Sequence, residues 1–528
     1  MHNVNVRKLQ AVSSKLQKTV NLLTILFVFS FVFLLVLPTA LAGSWDEEAN
    51  RDLSWTDGAI STPQQLAQFA YLVNTGEYDG SDDVYLTQNI DLDGNDWVPI
   101  GSKWDGNCIY FGIFDGRGFT ISNMTAPAPQ DIARSKVGPD ELSLYGLFGL
   151  VGGDIKNVKV SGSITFASTA NPYLEYYYIG SIAGINYGTI FNCVSEVEIS
   201  IHSESSDSAS SLGASYIGGI VGYNPSLVSN CMNYGDIYLE IGNHVPVGGI
   251  VGTNYGMIEY CGNYGRLFGT TSAIGGITGN SHDHNDADGL YPSTIQFCYN
   301  QGIIEQEVDG IGLGSVQYGG IAGYIIQTSV ENCYNTGQVI VFDPAPSNNH
   351  NHAGGLVGTH SSGSITNSYF MEDGSISGVG SPVVDLGIKR TLDEMKTKEF
   401  IELLNDGVGK FIFNPEGYPL VEPIILESYD DNGGKSKGGS SFGKAQIGKS
   451  QSVTPVIDEK PEVPTISDDS GDIDDNDNTD KKESESPGDS GESQNDNNKS
   501  NSIFWILGAL SIAAVFALVY YFYNKNKN

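Results

Sequence analysis

The chain has 528 residues, with 65 glycines and 28 tyrosines but only 17% charged side chains, a profile of a turn-rich, sheet-rich protein and not of a helical one. A formal net charge of −35 argues against a nucleic-acid partner, whose phosphates would be repelled, and against docking on an anionic membrane surface.

At the N-terminus, residues 1–42 read as a secretory signal peptide. Arg7, Lys8, Lys15 and Lys18 precede an apolar run from Val20 to Leu37, and Pro38-Thr-Ala-Leu-Ala42 is a small-x-small cleavage site. A retained N-terminal anchor is the alternative. Residues 43–144 read as an N-terminal capping region. In it, Leu66, Phe69, Ala70 and Val73 fall at helical spacing after Thr62 as N-cap and Pro63 as first helical residue. Strand-like VYLTQNIDL, WVPIG and FGIFDGRGFTISNM follow.

Residues 145–380 are repetitive. Six glycine blocks align: Ile179–Gly184, Ile217–Gly222, Val247–Gly252, Ile274–Gly279, Tyr318–Gly323 and Ala353–Gly358, with a divergent first copy at Tyr145–Gly149. Downstream of each later block comes a cysteine (Cys193, Cys231, Cys261, Cys298, Cys333), replaced by Ser368 in the last copy. Four copies then carry an Asn-x-Gly turn at Asn233, Asn263, Asn300 and Asn335. Each unit reads as short strands joined by turns, with no core of its own, so units must stack in register to bury an interior. The expected fold is all-β: a right-handed parallel β-helix, or β-solenoid, of about seven coils with short helical caps. At one strand spacing per coil it would be a rod ~35 Å long before the caps.

Five cysteines at one repeat position point to a structural ladder of buried thiols. Disulfides between adjacent coils and a thiolate metal site are the alternatives, although no CxxC pair is present. The asparagines read as a second ladder of stacked amides. Inside the fifth repeat, His282, Asp283, His284, Asp286 and Asp288 offer oxygen and imidazole ligands and are weak metal candidates, with a plain polar loop as the alternative. No cofactor site is read. Scattered charges in the repeats (Asp236, Glu259, Glu305, Glu307, Asp309, Arg266) read as solvated surface.

Residues 381–427 form an expected C-terminal cap, with helical period through Leu392, Met395, Phe400, Leu403 and Leu404. Residues 428–502 are a Gly/Ser-rich, then acidic, linker with too little apolar surface to fold, spanning ~50 Å as a coil. Within it, Gly443 to Ser450 matches GxxxxGK[ST]. It lacks the flanking strand and helix that a phosphate cradle requires, so it is not a nucleotide site. Residues 503–523 read as a transmembrane helix, edged by Trp505 and by Tyr520, Tyr521 and Tyr523; Lys525 and Lys527 make 524–528 a cytoplasmic tail.

Taken together, ISTPQQLAQFAYLVNTG…VYLTQNIDLDGNDWVPIG, FDGRGFTISNM, the GGIVG-type blocks with NC and NYG, and TLDEMKTKEFIELLN…GYP resemble GLUG-motif surface proteins over about residues 45–425. Related repeats occur ahead of the catalytic domain of some IgA-cleaving metalloproteases. No HExxH sequence is present, so that activity does not carry over. The resemblance implies a prokaryotic surface protein with a solenoid architecture. The expected function is non-enzymatic adhesion, or binding of a cell-surface glycan or protein, by an ectodomain held outside the cell membrane through one C-terminal helix. The alternative is a polysaccharide-active β-helix lyase or glycosidase. Ligand identity and oligomeric state stay open.

Overall fold

Every apolar residue at a given repeat position lies beside its counterpart one coil away, and this stacking generates the architecture. In the computed structural model the described residues lie within 44–422, excepting 79–82, 104–107, 127–134, 138–139, 169–174, 204–214, 241–244, 270, 287–288, 307–315, 342–350, 373–375, 383–385 and 416. The signal peptide (1–42), linker (428–502), apolar segment (503–523) and tail (524–528) read from the sequence lie outside them. Among the described residues no helix is long and apolar enough to cross a membrane.

One coil shows the pattern. Tyr216–Gly218 and Val221–Asn224 form face 1, Leu227–Ser229 forms face 2, and Met232–Asn233 with Ile237–Glu240 forms face 3. The three faces are parallel ladders closed around a common interior, so the chain is an all-β parallel solenoid. Face 2 is a 10-stranded ladder running from Ala59–Ile60 to Gly363–Thr366. The glycine-block units supply seven of those rungs. Three more come from Ala59–Ile60, Val84–Leu86 and Ile113–Asp115, which lack the block and pair in parallel all the same. The N-terminal region, expected as a cap with a short helix and first strands, thus lengthens the solenoid through those strands, to ~45 Å at one strand spacing per coil.

The interior is a set of like-on-like stacks. Ile190, Val228, Ile258, Ile295 and Val330 line face 2, and Ile220, Ile250, Ile277, Ile321 and Leu356 follow the glycines of face 1, all fully buried. Removing one such side chain costs about 2–5 kcal/mol, because its neighbours in the stack cannot close the gap.

The N-terminal helix α1 spans Pro63–Thr75, with Thr62 accepting a hydrogen bond from the Gln65 amide and Gly76 ending it in the left-handed conformation. Its Leu66, Phe69, Ala70 and Val73 join the main core, where Phe69 meets Trp55, Tyr110 and Phe114. Helix α2, Lys398–Asn405, and the antiparallel pair Phe411–Ile412 and Leu420–Val421 behave differently. They bury Phe400, Leu404 and Phe411 in a second core with Phe297, Tyr299, Tyr334 and Tyr369, aromatic residues from three successive coils. The segment expected as an end cap thus lies along the flank of face 3, as a strap across coils.

Candidate ligand-binding face

Two kinds of side-chain row run along the solenoid axis: inward rows that hold coils together and rows on the outer side of the ladders, partly buried and partly at the surface. The inward rows account for most of the residues singled out in the sequence. Cys193, Cys231, Cys261, Cys298 and Cys333 are free thiols and fully buried. Each donates to the carbonyl two residues upstream, as Cys231 does to Ser229 at 3.3 Å and Cys333 to Glu331 at 3.2 Å. The amides of Cys231 and Cys298 donate to the sulfur one coil on, both at 3.4 Å, and Ser368 Oγ takes the same role for Cys333 at 3.2 Å. Burial pushes the thiols of Cys193, Cys231 and Cys298 well up, so they stay protonated and unreactive. Cys108 stands apart, donating to the Asn74 carbonyl at 3.3 Å.

Asn233, Asn263, Asn300 and Asn335 form the amide ladder. Nδ2 of each of the first three donates to Oδ1 of the next at 2.8–2.9 Å. Asn233, Asn300 and Asn335 also accept from the glycine amide two residues on, as Asn233 does from Gly235 at 3.2 Å. Two further ladders escaped sequence reasoning. Asn186, Asn224, Asn254 and Ser281 bond in turn at 2.8, 2.8 and 3.1 Å on the inner side of face 1. Asn230, Asn192 and Asn157 do so at the corner before the cysteine, ending on Asp115.

The outward rows carry aromatic rings. On face 1, Tyr178, Tyr216, Tyr223, Tyr255, His282 and Tyr324 form a continuous chain of ring contacts, with successive centroids 5.1–5.7 Å apart. Strand alternation places Tyr223, Thr253, Asn280 and Tyr324 at one outward position of four consecutive coils. Burial, reinforced by the neighbouring phenols, pushes Tyr178 and Tyr223 well up, and burial alone takes Tyr187 up to about 12. The phenols are therefore neutral donors at physiological pH. Asp283, beside Tyr255, adds to the upward push that burial exerts there. Sequence reasoning missed this row, although its signal was present as a tyrosine directly after the glycine block (Tyr223, Tyr324) or after the ladder asparagine (Tyr187, Tyr255).

A shorter row occupies face 3, where Tyr238 stacks on Phe268 at 5.2 Å and Arg266 covers Phe268 at 4.6 Å. The scattered charges settle here and on face 2. Arg266 pairs with Glu305, and its amide donates to Asp236 at 2.7 Å. Glu259 is held by Ser229 at 3.0 Å and Gln296 at 2.9 Å. Glu307 and Asp309 lie outside the described residues.

Of the metal candidates, His282 presents its ring to Tyr255 and Tyr324. His284 and Asp286 lie on one strand of a hairpin, His284–Asp286 against Gly289–Tyr291, whose side chains are outside the description, as is Asp288. Among the described residues no set of three or more His, Cys, Asp or Glu side chains converges on a metal position.

Fold and rows together define a class, a parallel β-solenoid of short glycine-rich coils with polar ladders inside and aromatic rows outside. Within that class, residues 314–340 match the GLUG motif; they hold the Tyr318–Gly323 block, Cys333 and Asn335. No curated protein matches the chain. Among solved structures it is similar to a Bacteroides ovatus protein provisionally described as an immunoglobulin A1 protease. The identity is 19% and the TM-score 0.41, over 71% of this chain and 94% of that one.

Proposed function

We propose that this protein acts outside the cell, tethered by its C-terminal apolar segment, and binds a cell-surface glycan or protein through face 1 without turning it over. The observation that carries this reading is the row of rings from Tyr178 to Tyr324: Tyr178, Tyr216 and Tyr223 pack with Leu142, Leu144, Leu150 and Ile185, while Tyr255, His282 and Tyr324 continue the row half-buried, outside any apolar cluster. Aromatic residues aligned on a rigid scaffold recognise ligands at low entropic cost, since little of the site must be ordered on binding. The leader and apolar segment read from the sequence support the placement outside the cell.

The test is retention of the full-length chain on panels of glycans and cell-surface proteins, with and without EDTA. Saturable retention that EDTA leaves unchanged, with no new reducing or unsaturated ends, is expected. Release of product, or failure to be retained by any member of either panel, overturns the reading.

A further inference from the structure

We propose that Thr253 and Asn280, framed by Tyr223, Tyr255, His282 and Tyr324, form a subsite for a neutral pyranose unit of a glycan. The proposal rests on the binding reading above and gives it an address and a ligand class.

Thr253 and Asn280 are direct partners on adjacent coils, with Tyr223 one coil before and Tyr324 one coil after. Thr253 is 2% exposed, yet neither its Oγ1 nor Asn280 Oδ1 has a hydrogen-bond partner. The contrast with the next residues is direct. Asn254 and Ser281, one position further along the same strands, bond to each other at 3.1 Å. Buried polar atoms are ordinarily paired, and each orphan calls for a reason. Here two orphans share one outward row, one strand spacing (~4.8 Å) apart, a separation that hydroxyls across a single sugar ring can span.

The surrounding rings fit the same ligand. Tyr223 meets Tyr255 at 5.4 Å, Tyr255 meets His282 at 5.5 Å and His282 meets Tyr324 at 5.7 Å, offering faces and edges to the C–H side of a pyranose. The ligand's hydroxyls would donate to Asn280 Oδ1 and exchange with Thr253 Oγ1. Charge narrows the class. Among the described residues of the face 1 row there is no lysine or arginine, and the acid beside Tyr255 is Asp283. An anionic sugar would lack a counter-charge; a neutral one needs none.

The experiment is calorimetric titration of the full-length chain with hexasaccharides of glucose, mannose and galactose, and with a sulfated hexasaccharide. At least one neutral hexasaccharide is expected to bind more tightly than the sulfated one. Thr253→Val is expected to weaken that binding at least tenfold while its unfolding midpoint holds or rises, because an orphan hydroxyl has been replaced by a methyl of similar volume. Asn280→Leu serves as the second variant if the first folds poorly, and Tyr238→Ala on face 3 is expected to bind as the parent does. Neutral binding unchanged in both Thr253→Val and Asn280→Leu overturns this subsite while the broader adhesion reading stands. Preference for the sulfated sugar, or retention on proteins alone with no sugar bound, overturns the ligand class. No binding to any sugar or protein overturns both readings.

Discussion

Gly276 shows why the repeats spend so many glycines. A Cβ there would sit 2.6 Å from Cβ of Asn300, the ladder residue across the interior of the same coil, and closer still to the Gly320 carbonyl of the next coil. Gly219 stands in the same relation to Asn233. In the six later blocks none of the glycines has positive φ, so close approach and not backbone freedom selects them. Gly276→Ala is expected to lower stability by ~1–3 kcal/mol through overpacking, read as a lower denaturation midpoint; an unchanged midpoint would remove the explanation. Left-handed residues recur at the position before the cysteine (Asn192, Asn230, Tyr260, Phe297 and Asn332) and before Ser368 at Asn367. Asparagine at that place is legible in a sequence, since its short polar side chain tolerates the conformation. Tyr260 and Phe297 are not legible there. Their strain is offset by stacking on each other at 5.1 Å, with Lys410 of the strap over Tyr260 at 4.9 Å. The cysteine and Asn-x-Gly rows were legible because identity repeats. The Asn186–Asn224–Asn254 row was not, because its next member is Ser281 and only polarity persists.

Among the elements, α1 and the strap around α2 make a useful contrast, both foreseen as short helices and used in different ways. The spacing of Leu66, Phe69 and Val73 placed α1 correctly, and its apolar face enters the main core. The same kind of spacing found α2 but said nothing of where it docks, because its partners Tyr299, Tyr334 and Tyr369 come from three coils that only the fold brings side by side. Among the described residues the strap's polar ties are few: Asn332 Nδ2 donates to the Leu404 carbonyl at 2.8 Å, Asn367 Nδ2 to the Asp406 carboxylate at 3.2 Å, and the Tyr334 hydroxyl to the Pro419 carbonyl. Its attachment is therefore mainly aromatic, with Phe400 set edge-on to Tyr369 at 5.0 Å and to Tyr334 at 6.0 Å. Phe400→Ala is expected to cost the docked strap ~3–5 kcal/mol. Hydrogen exchange should then rise across 398–422 while the ladder amides of face 2 keep their protection. Loss of protection in both places would mean that strap and solenoid unfold as one unit.

For the whole molecule, the governing fact is that each coil touches chiefly its neighbours. Removing residues 247–273 takes out one full coil and brings Ile274 to the place of Val247, leaving every ladder in phase. Removing 247–260 breaks the phase, since face 1 and face 2 positions would be joined out of turn. The first deletion is expected to stay folded, with cooperative unfolding and a somewhat lower midpoint; the second is expected to lose its β circular dichroism. Equal loss in both would show that stability is not distributed coil by coil. The three N-terminal rungs without a glycine block bear on the same point. Ile60, Leu86 and Phe114 point into the shared core as Val228 and Ile258 do, so register is kept by burial where the motif is absent. The asparagine ladders add a sense of direction. Asn233, Asn263 and Asn300 each hand a proton donor toward the C-terminus, whereas Asn230, Asn192 and Asn157 hand theirs toward Asp115. Any inserted copy of a coil receives a donor from one side and passes one to the other, with no partner stranded. Gene duplication can thus lengthen the protein one unit at a time, and the extent of the aromatic row becomes a matter of copy number.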